Sequence, residues 1–132
     1  MASILRVNTL TDASSNNSIA TSTIFNGSAK LYVRKPADGA SNPDSFNVSS
    51  IDDDGTGDFG INISSAMSNA TYTITGEVYP VNNTTVIATL EIDPFANITT
   101  SSFDGDTAYA NSSNNRTNYD YDAGMAIHGD LA

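Results

Sequence analysis

The stretch Asp44-Ser45-Phe46-Asn47-Val48-Ser49-Ser50-Ile51-Asp52-Asp53-Asp54-Gly55-Thr56-Gly57-Asp58-Phe59-Gly60-Ile61-Asn62-Ile63-Ser64 holds two alternating apolar/polar runs around an acidic, glycine-bearing centre. Phe46 and Val48 alternate within residues 45–51. Phe59, Ile61 and Ile63 alternate within residues 58–64. A period of two is that of a strand with one buried face. The centre, residues 52–58, has the chemistry of a turn, because Asp supplies local hydrogen bonds and Gly supplies positive φ. Two strands joined by a tight turn make an antiparallel pair.

The same pattern continues on both sides. Residues 29–34 put Leu31 and Val33 on one face and Tyr32 on the other. Lys35-Pro36-Ala37-Asp38-Gly39 ends that strand, since proline lacks a ladder donor. Tyr72, Ile74, Gly76 and Val78 alternate in 71–79, and Val86, Ala88, Leu90 and Ile92 in 85–93. A last strand over 123–129 points Met125 and Ile127 inward. Between them, residues 98–118 read as one strand near 99–103 followed by a loop rich in Ser and Asn. At the start, 3–10 read as a strand, 11–17 as a polar turn and 19–25 as a second short strand bounded by Asn26-Gly27-Ser28. No window of about 12 residues carries a helical stripe. Five to eight short strands predict an all-β fold: a compact antiparallel β-sandwich or jelly-roll-like head over residues 29–132, with an extended N-terminal segment over residues 1–28.

Composition narrows the function. The length of 132 residues suits one domain. Five basic against fifteen acidic residues give a net charge of −10. That argues against phosphate-backbone binding, and equally against an anionic membrane surface. Without cysteine there is no disulfide framework and no thiolate metal site. No apolar run approaches the roughly 18–20 residues needed to span a bilayer, and the N-terminus lacks the apolar core of a signal peptide. The ten Asn-x-Ser/Thr triplets follow from a chain crowded with Asn, Ser and Thr rather than from glycosylation.

Candidate chemistry is sparse. Asp52, Asp54, Thr56 and Asp58 sit at alternate positions like the start of a calcium loop, but Ile63 occupies the place of the closing glutamate. A turn without a required metal is the expectation. His128 is the single histidine and has no cysteine to join it at a metal. Asp104, Asp106, Asp120 and Asp122 are the carboxylates that could pair for acid–base work on a sugar, which requires a fixed separation. No Gly-x-Ser-x-Gly elbow, P-loop or dinucleotide fingerprint occurs. Tyr109, Tyr119 and Tyr121, among Asn111, Asn114, Asn115 and Asn118, form a candidate recognition loop, because tyrosine offers rigid contact area with a polar tip. The alternative is a sheet-edge or subunit contact. Four of the five basic residues, Arg6, Lys30, Arg34 and Lys35, fall in the first 35, a bias that suits docking on an acidic neighbour.

Three blocks in order carry a resemblance. They are the opening Met1-Ala2-Ser3-Ile4-Leu5-Arg6-Val7-Asn8-Thr9-Leu10, the centre Asp44-Ser45-Phe46-Asn47-Val48-Ser49-Ser50-Ile51 with Asp54-Gly55-Thr56-Gly57-Asp58-Phe59, and the ending Gly129-Asp130-Leu131-Ala132. Together they resemble the short fibre-like virion proteins of marine tailed phages. The resemblance implies a non-enzymatic virion structural protein without cofactor, a homotrimer of tail-fibre or receptor-binding type. Residues 1–28 would attach and assemble, with Ile4, Leu5, Arg6, Val7 and Leu10 as contacts, and 29–132 would form the head. Implied partners are the chain itself, other virion proteins of tail or capsid, and a host surface glycan or protein. No nucleic acid and no membrane insertion are implied. Residues 81–118 depart most from that family. The alternative is a capsid decoration protein that clamps major capsid subunits.

Overall fold

The computed structural model describes residues 6–15, 17–38, 44–80, 87–93 and 98–132. Over these, the chain is an all-β sandwich of antiparallel sheets with one short helix. Eleven strands occur among the described residues, more than the five to eight that the sequence suggests.

The N-terminal segment forms a hairpin from β1 (Thr9–Thr11) and β2 (Ser18–Ala20), then α1 (Thr21–Gly27). Residues 19 and 20 do lie in a strand, β2, and from Thr21 the helix replaces the rest of the strand expected over 19–25. Its seven residues bury none of their number, and Thr, Ile and Phe are modest helix formers. Its ends are held from outside instead. The Thr21 N–H donates to Asn8 O at 2.9 Å and the Thr21 hydroxyl to Val7 O at 3.1 Å. At the other end the Lys30 ammonium donates to Phe25 O and, at 2.9 Å, to Ser28 Oγ. External partners for the unpaired helix-end groups let a weak helical sequence hold about two turns.

The first sheet of the sandwich contains β3 (Leu31–Lys35), β4 (Ser45–Phe46), β7 (Thr73–Tyr79) and β11 (Asp122–His128) in the order β4-β3-β11-β7. The second contains β5 (Val48–Gly55), β6 (Asp58–Ile63), β8 (Ala88–Ile92), β9 (Ser102–Ala110) and β10 (Arg116–Asn118). Here β9 is the hub. It pairs with β6 over Ser102 to Asp106, with β10 over Ala108 to Ala110 and with β8 over Gly105 to Tyr109.

Leu31, Val33, Ala123, Met125 and Ile127 from the first sheet meet Ile51, Phe59, Ile61, Ile63 and Phe103 from the second, with Met67 and Tyr72 closing one end. The inward sets over 29–34, 58–64 and 123–129 are the ones that alternation predicts. The Tyr72 hydroxyl reaches Thr99 O at 2.9 Å and Ser102 O at 3.1 Å, and burial pushes its pKa up to about 12.

Two strand readings need correction. The run 45–51 is not one strand. Asn47 takes φ +61, and the chain crosses there from the first sheet to the second. The Asn47 amide nitrogen donates to Lys30 O at 3.0 Å and Ser65 O at 3.1 Å, while its oxygen accepts the Ser65 N–H at 2.7 Å. Asparagine tolerates the left-handed region, and a short amide can bridge three backbone groups. The stretch after Phe103 is not all loop: as far as Ala110 it belongs to β9, the longest strand among the described residues. Its inward positions include Gly105 and Thr107, which break the apolar alternation that reveals a strand in sequence. Of the predicted 85–93 strand, 85 and 86 lie outside the described residues.

Candidate functional site

The acidic turn is a hairpin. β5 runs to Gly55, beyond the predicted end at Ile51, and Thr56 and Gly57 connect it to β6, with a register shift between Asp53 and Gly55. Gly57 has φ +73, and a Cβ there would meet Thr107 O and, at 2.7 Å, Tyr119 N. Its own N–H donates to Asp120 Oδ1 at 2.6 Å, and its carbonyl accepts the Thr107 N–H at 2.7 Å. The turn is therefore locked onto the start of β10's return path.

Outside the second sheet, Asp54, Asp58, Asp93, Asp104 and Asp106 line a cleft of about 370 Å³. The register puts Asp58 directly opposite Asp106, and Asp106 opposite Glu91. Like charges facing across strands repel. Burial pushes the Asp58 carboxyl up, helped by Asp106 and Asp54, and does the same to Asp104, helped by Asp54, Asp58 and Asp93. Arg116 relieves part of this, with Nε 3.3 Å from Glu91 and an Nη 3.1 Å from Asp106. Among the described residues no three His, Asp or Glu side chains are arranged to hold a metal ion.

The four carboxylates considered for paired acid–base work divide: Asp104 and Asp106 share the cleft, while Asp120 and Asp122 lie elsewhere. Asp104 and Asp106 lie in β9 of the second sheet. Asp120 is engaged by Gly57, and Asp122, in the first sheet, accepts Arg34 at 3.2 Å and the Ala37 N–H at 2.7 Å. His128 pairs in register with Thr73 along β11.

The three tyrosines of the predicted recognition loop do come together. Tyr109 and Tyr119 meet edge to face at 5.8 Å between centroids, and Tyr119 and Tyr121 are tilted at 4.8 Å. Their setting is a β9–β10 hairpin and its exit, not a free loop. Only Tyr119 is well exposed, at 51%, whereas Tyr121 is 6% exposed. Tyr121 is a packing residue beneath Tyr119.

Of the predicted attachment residues, Ile4 and Leu5 lie outside the described residues. Arg6, Val7 and Leu10 are exposed. Leu10 sits opposite Ile19 across the hairpin, and α1 adds Ile24 and Phe25. These apolar side chains are each at least 40% exposed, Phe25 the most at 59%. Phe25 was not singled out in sequence. Its ring lies under the Lys30 ammonium, with Nζ 4.2 Å from the ring centroid.

Sequence reading also missed the outer face of the first sheet. Tyr32 and Phe46 stack there at 6.1 Å, and Tyr79 lies on the same side. The signal available was the aromatic residues at the outward positions of alternating strands. Their pairing depends on the register.

Compared with protein-family models, with curated proteins and with solved structures, the chain matches none.

Proposed function

We propose that this chain is a non-enzymatic virion structural protein of a tailed phage, a homotrimeric fibre-like component that displays a β-sandwich head through its N-terminal segment. The observation that carries the reading is the exposed apolar side chains of that segment: Leu10 and Ile19 face each other across the hairpin and are both exposed, and Ile24 and Phe25 are exposed on a helix that buries none of its residues. Exposed apolar side chains gathered on one short segment point to an interaction site, and self-association closes most often into a symmetric oligomer. The order of the three sequence blocks, described above, supplies the virion context.

Sedimentation of the recombinant chain at micromolar concentration tests the assembly step. The expected result is a trimer that Phe25→Asp with Ile19→Asp converts to a monomer with an unchanged head. A wild-type monomer would count against the reading. The same surface could clamp a capsid lattice. Copy number in purified virions separates the two roles, tens or fewer for a fibre against hundreds for a decoration protein.

A further inference from the structure

We infer that the outer face of the first sheet is the second half of the subunit contact: Tyr32 and Phe46 of one copy receive the exposed apolar side chains of the next copy's N-terminal segment. The inference rests on the assembly reading above and names the surface on which that segment docks. A three-fold contact is heterologous, so the patch that one copy offers meets a different patch on its neighbour. The N-terminal segment is one such patch. Its counterpart lies elsewhere on the chain.

Strand register sets Tyr32 beside Phe46 on the outer side of the sheet. The two rings stack at 6.1 Å between centroids, 46% and 52% exposed. Rigid aromatic surface left half in water is the kind that subunit contacts bury. This pair adjoins the N-terminal segment of its own copy. Lys30 comes two residues before Tyr32, and alternation along β3 puts both on the outer side. The Lys30 ammonium lies over the Phe25 ring and donates to Ser28 Oγ at 2.9 Å. Segment and aromatic pair are therefore continuous through Lys30, an arrangement that lets each engage a different neighbour around one axis.

Charge selects a second copy as the occupant. The chain carries a net charge of −10, so two copies repel where their acidic faces meet. The outer face of the second sheet carries Asp54, Asp58, Asp104, Asp106 and Glu91 around Arg116. On the outer face of the first sheet Arg34 pairs with Asp122 at 3.2 Å, and Glu77 accepts the Tyr79 hydroxyl at 2.8 Å. Of the two flat faces, the first is the one that a like-charged copy can approach without setting carboxylates against carboxylates. It is also the one that carries the stacked pair.

Sedimentation of the full-length chain over a range of concentrations tests the inference, alongside Tyr32→Glu with Phe46→Glu and, separately, Ala126→Glu. Ala126 lies next to Tyr32 on the central strand, with its side chain away from the core. Each variant leaves the N-terminal segment intact and should raise the concentration at which trimers form by about tenfold or more. Tyr119→Glu, on the second sheet, should leave it unchanged. A chain without cysteine allows a second measurement that needs no disruptive change. Tyr32→Cys, labelled with a photoreactive thiol reagent, should cross-link between copies to residues 18–27. Trimers that form as readily with the Glu variants, or cross-links between copies that avoid residues 18–27, would overturn the inference and leave the assembly reading standing. A wild-type chain that stays monomeric would overturn both.

Discussion

The backbone N–H of Gly57 donates to the carboxylate of Asp120 at 2.6 Å, joining residues that lie 63 positions apart in the chain. This contact fastens the β5–β6 turn to the segment between β10 and β11. It also occupies a backbone donor in a turn that leaves no room for a side chain. Gly57→Ala should therefore destabilise the fold by several kcal/mol, since about 1–2 kcal/mol of left-handed strain adds to overlap with Thr107 and Tyr119 backbone atoms. Asp120→Ala should cost about 1–3 kcal/mol by leaving the N–H unpaired. Asp120→Asn, which retains an acceptor oxygen, should cost less. Urea unfolding of the three variants checks the order.

Lys35 is 2% exposed, with its ammonium 3.3 Å from Tyr121 O and 5.4 Å from the Phe59 ring centroid. Burial pushes its pKa down, opposed by Asp120, Asp53, Asp122 and Asp38. A charge held without a close carboxylate is costly, and an apolar isostere is often neutral or stabilising. Lys35→Met should leave stability unchanged or raise it, whereas Lys35→Ala should lower it by about 2–4 kcal/mol through the cavity. The folded pKa lies below the unfolded value of 10.5, so this group's contribution to stability grows as pH rises from the folded value toward 10.5. Lys35→Met should flatten that alkaline rise in melting temperature.

The acidic face makes the opposite pH prediction. Asp58 and Asp104 have folded pKa values above the unfolded 3.8, so the folded state holds their protons more tightly. The stability from this source is fully present below 3.8 and is lost as pH rises through the raised folded values. Asp58→Asn and Asp104→Asn should each raise the melting temperature at pH 7 and shrink the gain on mild acidification. Sodium chloride should raise it as well, by screening. Calcium at equal ionic strength should do no more, and a clearly larger calcium effect would show a held ion at the turn.

Tyr119 and Tyr121 should separate by role. Tyr121→Ala removes a buried ring and should cost about 3–5 kcal/mol. Tyr119→Ala, on an exposed ring, should change stability by about 1 kcal/mol or less. In phage carrying the variants, loss of adsorption with normal assembly for Tyr119→Ala would assign that ring to host contact. Loss of the protein from particles would assign it to a virion contact.

Sequence alone determined the fold class and much of the core, because alternation with period two is a local property. Leu31 and Val33, Phe59, Ile61 and Ile63, and Met125 and Ile127 declared their burial within six-residue windows. The turn at Thr56-Gly57 was equally legible, since Asp and Gly favour turns by their own chemistry. What only tertiary structure decided were relations between distant segments. The break at Asn47 is held by Lys30 and Ser65, so a run that alternates smoothly divides between two sheets. Strand β9 hides its identity because Gly105 and Thr107 fill inward positions, the glycine beside the Phe59 ring and the Glu91 backbone, the threonine with its hydroxyl bonded to Tyr119 O. Helix α1 exists because Asn8 and Lys30 supply the partners its ends lack. The aromatic outer face of the first sheet is the clearest case. Tyr32 and Phe46 lie on strands paired by register, and Tyr79 reaches the same face from the far edge, so no local window contains the surface they make.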